Sequence, residues 1–132
     1  MYNKKNLVDD LIYPELSYKI VGILFSVFND LGSGYKEKYY EKAIAQYLKN
    51  RNIDSVCQAP YQIREKDEII GRQYLDFLIE NKIILEIKRG NYFSIKNIQQ
   101  VNIYLKVTNL RLAILANFTP HGIKFKRLVN IK

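Results

Sequence analysis

Tyr74–Gly90, YLDFLIENKIILEIKRG, is the stretch on which the reading of this chain turns. Two apolar runs, Tyr74–Ile79 and Ile83–Ile87, flank the polar break Glu80-Asn81-Lys82, the pattern of two short strands joined as a β-hairpin. Three charged residues sit inside it: Asp76 in the first run, then Glu86 and Lys88 around the end of the second. Strand side chains alternate between faces, so Glu86 and Lys88 share one face while Leu85 and Ile87 take the other. A loop of three residues, Glu80 to Lys82, sets Asp76 opposite Glu86, whereas a loop of two would separate them. Ionised carboxylates among apolar strand residues are costly unless something pairs with them. A divalent cation would pair with both.

Upstream of the hairpin, Ser55–Glu65 alternates Cys57, Ala59, Tyr61 and Ile63 against Gln58, Gln62 and Arg64, as a strand does. Pro60 in its middle marks an edge strand or a bulge. Lys66-Asp67-Glu68 turns it back into a strand that begins near Ile69, which makes a meander of three strands. Before that lie two helices. Pro14 suits a first helical turn and Glu15 the positive end of the dipole. Leu16, Ile20, Ile23, Leu24, Val27 and Leu31 then recur at helical spacing, with Val21, Phe25 and Phe28 on neighbouring faces, so this helix should be largely buried. Gly32-Ser33-Gly34 ends it; no strand precedes these glycines, which excludes a dinucleotide-binding turn. The segment before it, Met1 to Tyr13, reads as an extended or briefly helical lead-in.

The second helix is expected from about Tyr35 to Asn50, with Tyr40, Ile44, Tyr47 and Leu48 inward. Glu37 and Glu41 lie on the same stripe, one turn apart. With Gly34 as N-cap, Glu37 would occupy the third helical position and reach back to the cap amide; alternatively it faces the hairpin carboxylates. Downstream, Ser94 is a plausible N-cap for a helix whose stripe is Ile95, Ile98, Val101 and Leu105 and which ends near Asn109. Gln100 and Tyr104 flank that stripe. Leu112–Ala116, LAILA, suits a strand buried on both faces. Thr119-Pro120-His121-Gly122 is a turn, and Ile123–Ile131 alternates apolar with basic residues as a closing edge strand. The order helix, helix, three strands, helix, strand, strand defines an α/β sandwich, with helices covering a mixed sheet and all 132 residues in one domain.

Asp76 followed by Glu86-x-Lys88 on the next strand resembles the signature of the PD-(D/E)XK nuclease superfamily. Two further segments strengthen the likeness. Gly34-Tyr35-Lys36-Glu37-Lys38-Tyr39-Tyr40 fits the pattern that names the GxxExxY family within it, and Gln100-Val101-Asn102-Ile103-Tyr104 is similar to a Q-x-x-x-Y element of some branches. The resemblance covers nearly the whole chain. It implies a restriction-endonuclease-like three-layer sandwich, an αβββαβ core extended here by an N-terminal helix and a C-terminal strand. It also implies a catalytic set of Asp76, Glu86, Lys88 and Glu37, a Mg²⁺ or Mn²⁺ ion held by Asp76 and Glu86 with Glu37, and support from Tyr40, Gln100 and Tyr104. Many members carry a histidine late in the first helix where Phe28 stands, so no histidine role is implied.

The implied chemistry agrees with the residue types. Carboxylates are hard donors suited to Mg²⁺ or Mn²⁺, and Lys88 could steady a pentacovalent phosphate as a point charge or, in a purely structural role, bridge Asp76 or Glu86. Charge adds a second indication. The net charge is +8, yet through Glu86 the chain holds 12 basic and 13 acidic residues, and from Ile87 onward nine basic residues and no acid. An uncompensated positive field favours a polyanion such as DNA or RNA, with Lys124, Lys126 and Arg127 its nearest contacts. One Cys and one His exclude an internal disulfide and argue against structural zinc. No run has the length to span a membrane, and a reducing cytoplasm is the expected location. A metal-dependent endonuclease is the leading reading, and cutting both strands would call for a homodimer. A silent nucleic-acid-binding module, or an interaction subunit using its 11 tyrosines, are the alternatives.

Overall fold

The computed structural model describes residues 12–130; the expected lead-in before Ile12, and the end of the closing strand, lie outside them. The elements run α1 (Pro14–Leu31), α2 (Glu37–Asn50), β1 (Ser55–Glu65), β2 (Glu68–Ile79), β3 (Ile83–Arg89), α3 (Ile95–Thr108), β4 (Leu112–Thr119) and β5 (Gly122–Val129). The sheet order follows the chain, β1-β2-β3-β4-β5, with both ends as edges. β1 to β3 form the antiparallel meander, β3 and β4 run parallel across the α3 crossover, and β5 returns antiparallel. This is the three-layer α/β architecture that the element order implied.

Two cores lie on the two faces of the sheet. Ile20, Ile23, Leu24 and Val27 of α1 and Tyr40, Ile44 and Leu48 of α2 pack on Phe77, Ile79, Leu85 and Ile87 and on the facing residues of β4. Val101, Tyr104 and Leu105 of α3 cover Ile84, Ala113, Leu115 and Leu128 on the other face. Covered on both sides, β4 is buried at every position from Leu112 to Thr119, three residues beyond the apolar run that announced it. α1 is less enclosed than its composition suggests: Phe25 is 45% exposed, because the helix meets the sheet along one stripe only. Ile95, expected in the α3 stripe, is likewise exposed as the first helical residue.

Local signals fix most boundaries. Gly32 at φ 73° closes α1, a conformation that favours glycine. Ser94 caps α3, its hydroxyl accepting from the Asn97 amide at 2.9 Å, and Asn109 ends it in the left-handed region at φ 60°. The start of α2 differs from expectation. Lys36 is its N-cap and Glu37 its first residue, with no side-chain cap hydrogen bond, so Glu37 does not serve as a capping-box carboxylate.

The hairpin turn is the expected one. Ile79 pairs with Ile83, and Glu80 and Asn81 both adopt φ 53°, which leaves Glu80-Asn81-Lys82 as the loop. The strand leading into it departs from regular alternation. Phe77 packs in the first core but Leu75, two residues before it, packs in the second with Ala59. Strict alternation would keep them on one face. The hairpin turns over between these residues, at Asp76 and its neighbour Gln58, which adopts φ 51°.

Candidate active site

The ladder between β2 and β3 is short. It consists of Phe77–Leu85, Leu78–Ile84 and Ile79–Ile83. The next pair would be Asp76 with Glu86, and there side chains replace the backbone ladder. The Asp76 amide donates to Glu86 Oε2 at 2.6 Å, and the Ile87 amide donates to Asp76 Oδ2 at 2.8 Å. Each acid thus caps the strand carrying the other, and charge-assisted bonds of this kind are the stronger ones. The three-residue loop therefore makes the two carboxylates neighbours, as its parity requires.

Around this pair the structure gathers residues from three other elements. From β1, Gln58 Nε2 donates to Glu41 Oε1 at 2.9 Å and to Asp76 Oδ1 at 3.4 Å. Glu41 of α2 is therefore part of the cluster rather than surface. The burial of its carboxyl, followed by the charge of Asp76, raises its pKa above the usual carboxylate range. Glu37, at the start of the same helix, is half-buried. Burial raises its pKa most, Lys88 opposes this, Asp76 adds to it and Arg89 opposes again. Glu37 therefore borders the cluster and senses both Asp76 and Lys88.

Glu86 is 2% exposed. Its pKa is pushed up to about 8, by burial first and by the Asp76 charge second. From α3, Tyr104 is buried beside it, and its phenol is held well above its ordinary pKa by burial and then by the Glu86 charge. Tyr61 of β1 meets the Tyr104 ring edge-on, with centroids 5.3 Å apart. Lys88, half-buried on the strand face of Glu86, makes no hydrogen bond or ion pair with a described residue, so the structural bridge to Asp76 or Glu86 is not formed.

Among the described residues, no group of three or more His, Cys, Asp or Glu side chains is drawn together as a metal site. Glu37 lies at the border of the Asp76–Glu86 pair, within reach of the Asp76 charge. The two strand carboxylates nonetheless fit a hard divalent cation. Each anchors one oxygen on an opposing amide and keeps Asp76 Oδ1 or Glu86 Oε1 outside that pairing. Burial first and the neighbouring Asp76 charge second raise the pKa of Glu86, and a cation would offset both. Mg²⁺ is characteristically held by one or two carboxylates and keeps several waters.

The other expected site residues make no hydrogen bond to Asp76, Glu86, Gln58 or Glu41. Tyr40 is fully buried; its hydroxyl donates to the Gly32 carbonyl at 2.7 Å and its ring stacks on Phe118 at 3.9 Å, so it braces the α1–α2 link. Gln100 is half-buried one turn before Tyr104 and has no hydrogen bond to a described residue. Lys124 and Lys126 are exposed on the α3 face of β5. Arg127 points to the opposite face, where its guanidinium donates to the Ile12 carbonyl at 2.8 Å. The three do not form one patch. Gln58 carries no signal in the sequence, where it reads as one polar position among several; only its register opposite Asp76 marks it. Glu41 carried a signal, its spacing of one turn from Glu37.

A sequence profile described as the PD-(D/E)XK nuclease superfamily matches residues 14–128, and the chain belongs to that superfamily. No functionally curated protein matches it. Among solved structures, it is similar to one described as the crystal structure of SSO0001, with a TM-score of 0.55 and 20% identity. That match covers 97% of this chain and 63% of the other, so the chain spans less than two thirds of that protein's length. At this identity the likeness concerns the fold. Among the described residues, no helix is long and apolar enough to cross a membrane.

Proposed function

We propose that this chain is a metal-dependent nuclease of the GxxExxY branch, hydrolysing phosphodiester bonds of DNA or RNA at Asp76, Glu86 and Lys88. The observation that carries the reading is the open end of the β2–β3 pair, where two carboxylates are fixed by each other's strand amides in a chain of this superfamily. Asp76 and Glu86 would hold Mg²⁺ or Mn²⁺. When bound, such an ion supplies an acidified water and neutralises charge growing on the scissile phosphate.

The other residues divide the remaining tasks. Gln58 and Glu41 fix the rotamer of Asp76. Tyr104 and Tyr61 exclude water from the Glu86 side and keep its carboxyl desolvated. Lys88, not bridged to either acid, is available to orient the attacking water and to stabilise negative charge on the phosphate oxygens. Glu37, at the rim, holds a water or accepts its proton. Gln100 offers an amide to the substrate backbone, and Lys124 and Lys126 add to the field that attracts it. A reducing cytoplasm suits free, exposed Cys57, and cutting both strands would take two copies of a chain with one such site.

The test is to incubate pure protein with end-labelled single- and double-stranded DNA and RNA in Mg²⁺, Mn²⁺ or EDTA. Cleavage of at least one substrate in the metal lanes, absent in EDTA, is expected. Binding without cleavage under every metal condition would make the chain a binding module on a nuclease fold.

A further inference from the structure

We propose that a second subsite, for a phosphate of the nucleic-acid strand other than the one being cut, lies beside this site at the carboxyl ends of β3 and β4, with Arg89 as its anchor. The inference rests on the nuclease reading and names how that site grips its substrate. A cavity of about 360 Å³ opens there between the α1–α2 link, with Ser33 and Gly34, the end of β3, with Arg89, Gly90 and Asn91, and the end of β4, with Phe118 and Pro120. In open α/β sheets the carboxyl ends of parallel strands are where ligands settle. The volume falls at the lower end of the range for small-ligand sites, which suits a nucleotide unit better than a bare ion.

The chemistry of the wall is that of an anion site. No acidic residue lines the cavity. Arg89 is exposed and makes no hydrogen bond or ion pair with a described residue, so its guanidinium donors are unengaged. A guanidinium is the side chain best matched to phosphate, through paired donors in one plane. Lys124, on the α3 face of β5 and outside the cavity wall, ties down the Asn91 carbonyl, its Nζ donating to it at 3.1 Å. Gly34 and Gly90 adopt φ 95° and 128°, which leaves bare backbone on two sides. The floor is rigid, because Phe118 stacks under Tyr40 and Tyr40 is tied to Gly32.

Strand alternation links the cavity to the acids. Lys88 points to the α3 face with Glu86, and Arg89 to the opposite face, where Phe118 lies. Arg89 is also among the charges acting on Glu37. A strand crossing this edge of the sheet would present one phosphate to Lys88 and the acids and another to Arg89.

The test measures binding in EDTA, where nothing is cut, by fluorescence anisotropy of fluorescein-labelled oligo(dT) and oligo(U). Arg89→Ala should weaken binding about tenfold, the loss of one charged hydrogen-bonded contact, and lower the slope of log affinity against log salt by about one. Arg89→Lys should recover part of the affinity and the full slope. Ser33→Glu, an anion placed at the cavity wall, should weaken binding at least as much. Lys49→Ala, which removes an equal charge at the far end of α2, should change little. If wild-type protein binds and Arg89→Ala and Ser33→Glu bind equally well with unchanged slope, the subsite is refuted while the nuclease reading stands. Should the wild type bind and depend on Arg89 yet never cleave, the subsite stands and the nuclease reading falls. Failure of the wild type to bind either oligonucleotide at any salt overturns both.

Discussion

Strand β3 is held differently along its two edges. On the β4 side, seven consecutive pairs run from Ile83–Leu112 to Arg89–Phe118, the first five between residues buried in both strands. On the β2 side, three pairs form, and then the acids take over the amides. The closed edge has its hydrogen bonds made by backbone and, over its first five pairs, its faces filled by Leu, Ile and Ala with Glu86 the one charged residue. The open edge places two carboxyl groups where a strand pair would otherwise continue, and burial together with the Asp76 charge makes ionising Glu86 costly. The difference teaches where stability and chemistry reside: the first edge holds the sheet together, and the second holds a site that is costly in the absence of a cation.

The sharpest way to break that division is to change each edge and measure both properties. Asp76→Asn and Glu86→Gln should each lower Mg²⁺-dependent cleavage by about a thousandfold or more, since the charge that holds the ion is lost. The amide oxygen in Asp76→Asn can still accept from Ile87, so the urea midpoint in EDTA should stay level or rise. Leu115→Ala on the closed edge should do the opposite. It removes a fully buried side chain under α3 and should cost about 2–5 kcal/mol in urea unfolding, with cleavage per folded molecule little changed. If Asp76→Asn unfolds as readily as Leu115→Ala, the acids are architecture.

Acidity gives a second test of the open edge. The folded protein holds a proton on Glu86 up to about 8, whereas in the unfolded chain it leaves near 4.5. In EDTA, stability is therefore greatest below the unfolded value and falls as pH rises through that window. The midpoint in urea should decline between about pH 5 and 8, and Glu86→Gln should flatten the decline. Added Mg²⁺ should restore the most stability at the upper end, where it no longer competes with a proton. A midpoint that rises with pH across this range, in the absence of metal, would contradict the burial and the Asp76 charge that hold the proton on Glu86.

The smallest effect separates the two faces of β5. Lys124→Glu with Lys126→Glu should weaken nucleic-acid binding several-fold and lower its salt dependence. Arg127→Ala should instead cost about 1 kcal/mol of stability, through the lost bond to Ile12, and leave the salt slope unchanged. An equal effect of all three on binding would mean that Arg127 is part of the nucleic-acid surface.

Much of this molecule was determined by local sequence. Period-2 runs, the three-residue turn at Glu80–Lys82, Ser94 as a cap and Gly32 as a stop each act over a few residues, and those signals set the elements, the α/β class and the pairing of Asp76 with Glu86. Tertiary structure decided what depends on neighbours distant in sequence. Gln58 and Glu41 join the acids because β1 and α2 dock around the point where the hairpin turns over. Alternation assigns Leu75 and Phe77 to one face, but twist separates them into two cores once β2 loses β3 as a partner. Lys124, Lys126 and Arg127 read as one basic run, and the pleat sends Arg127 to the other side. Charge order is written along the chain, whereas the charges that act together are set by which strands remain paired and which part.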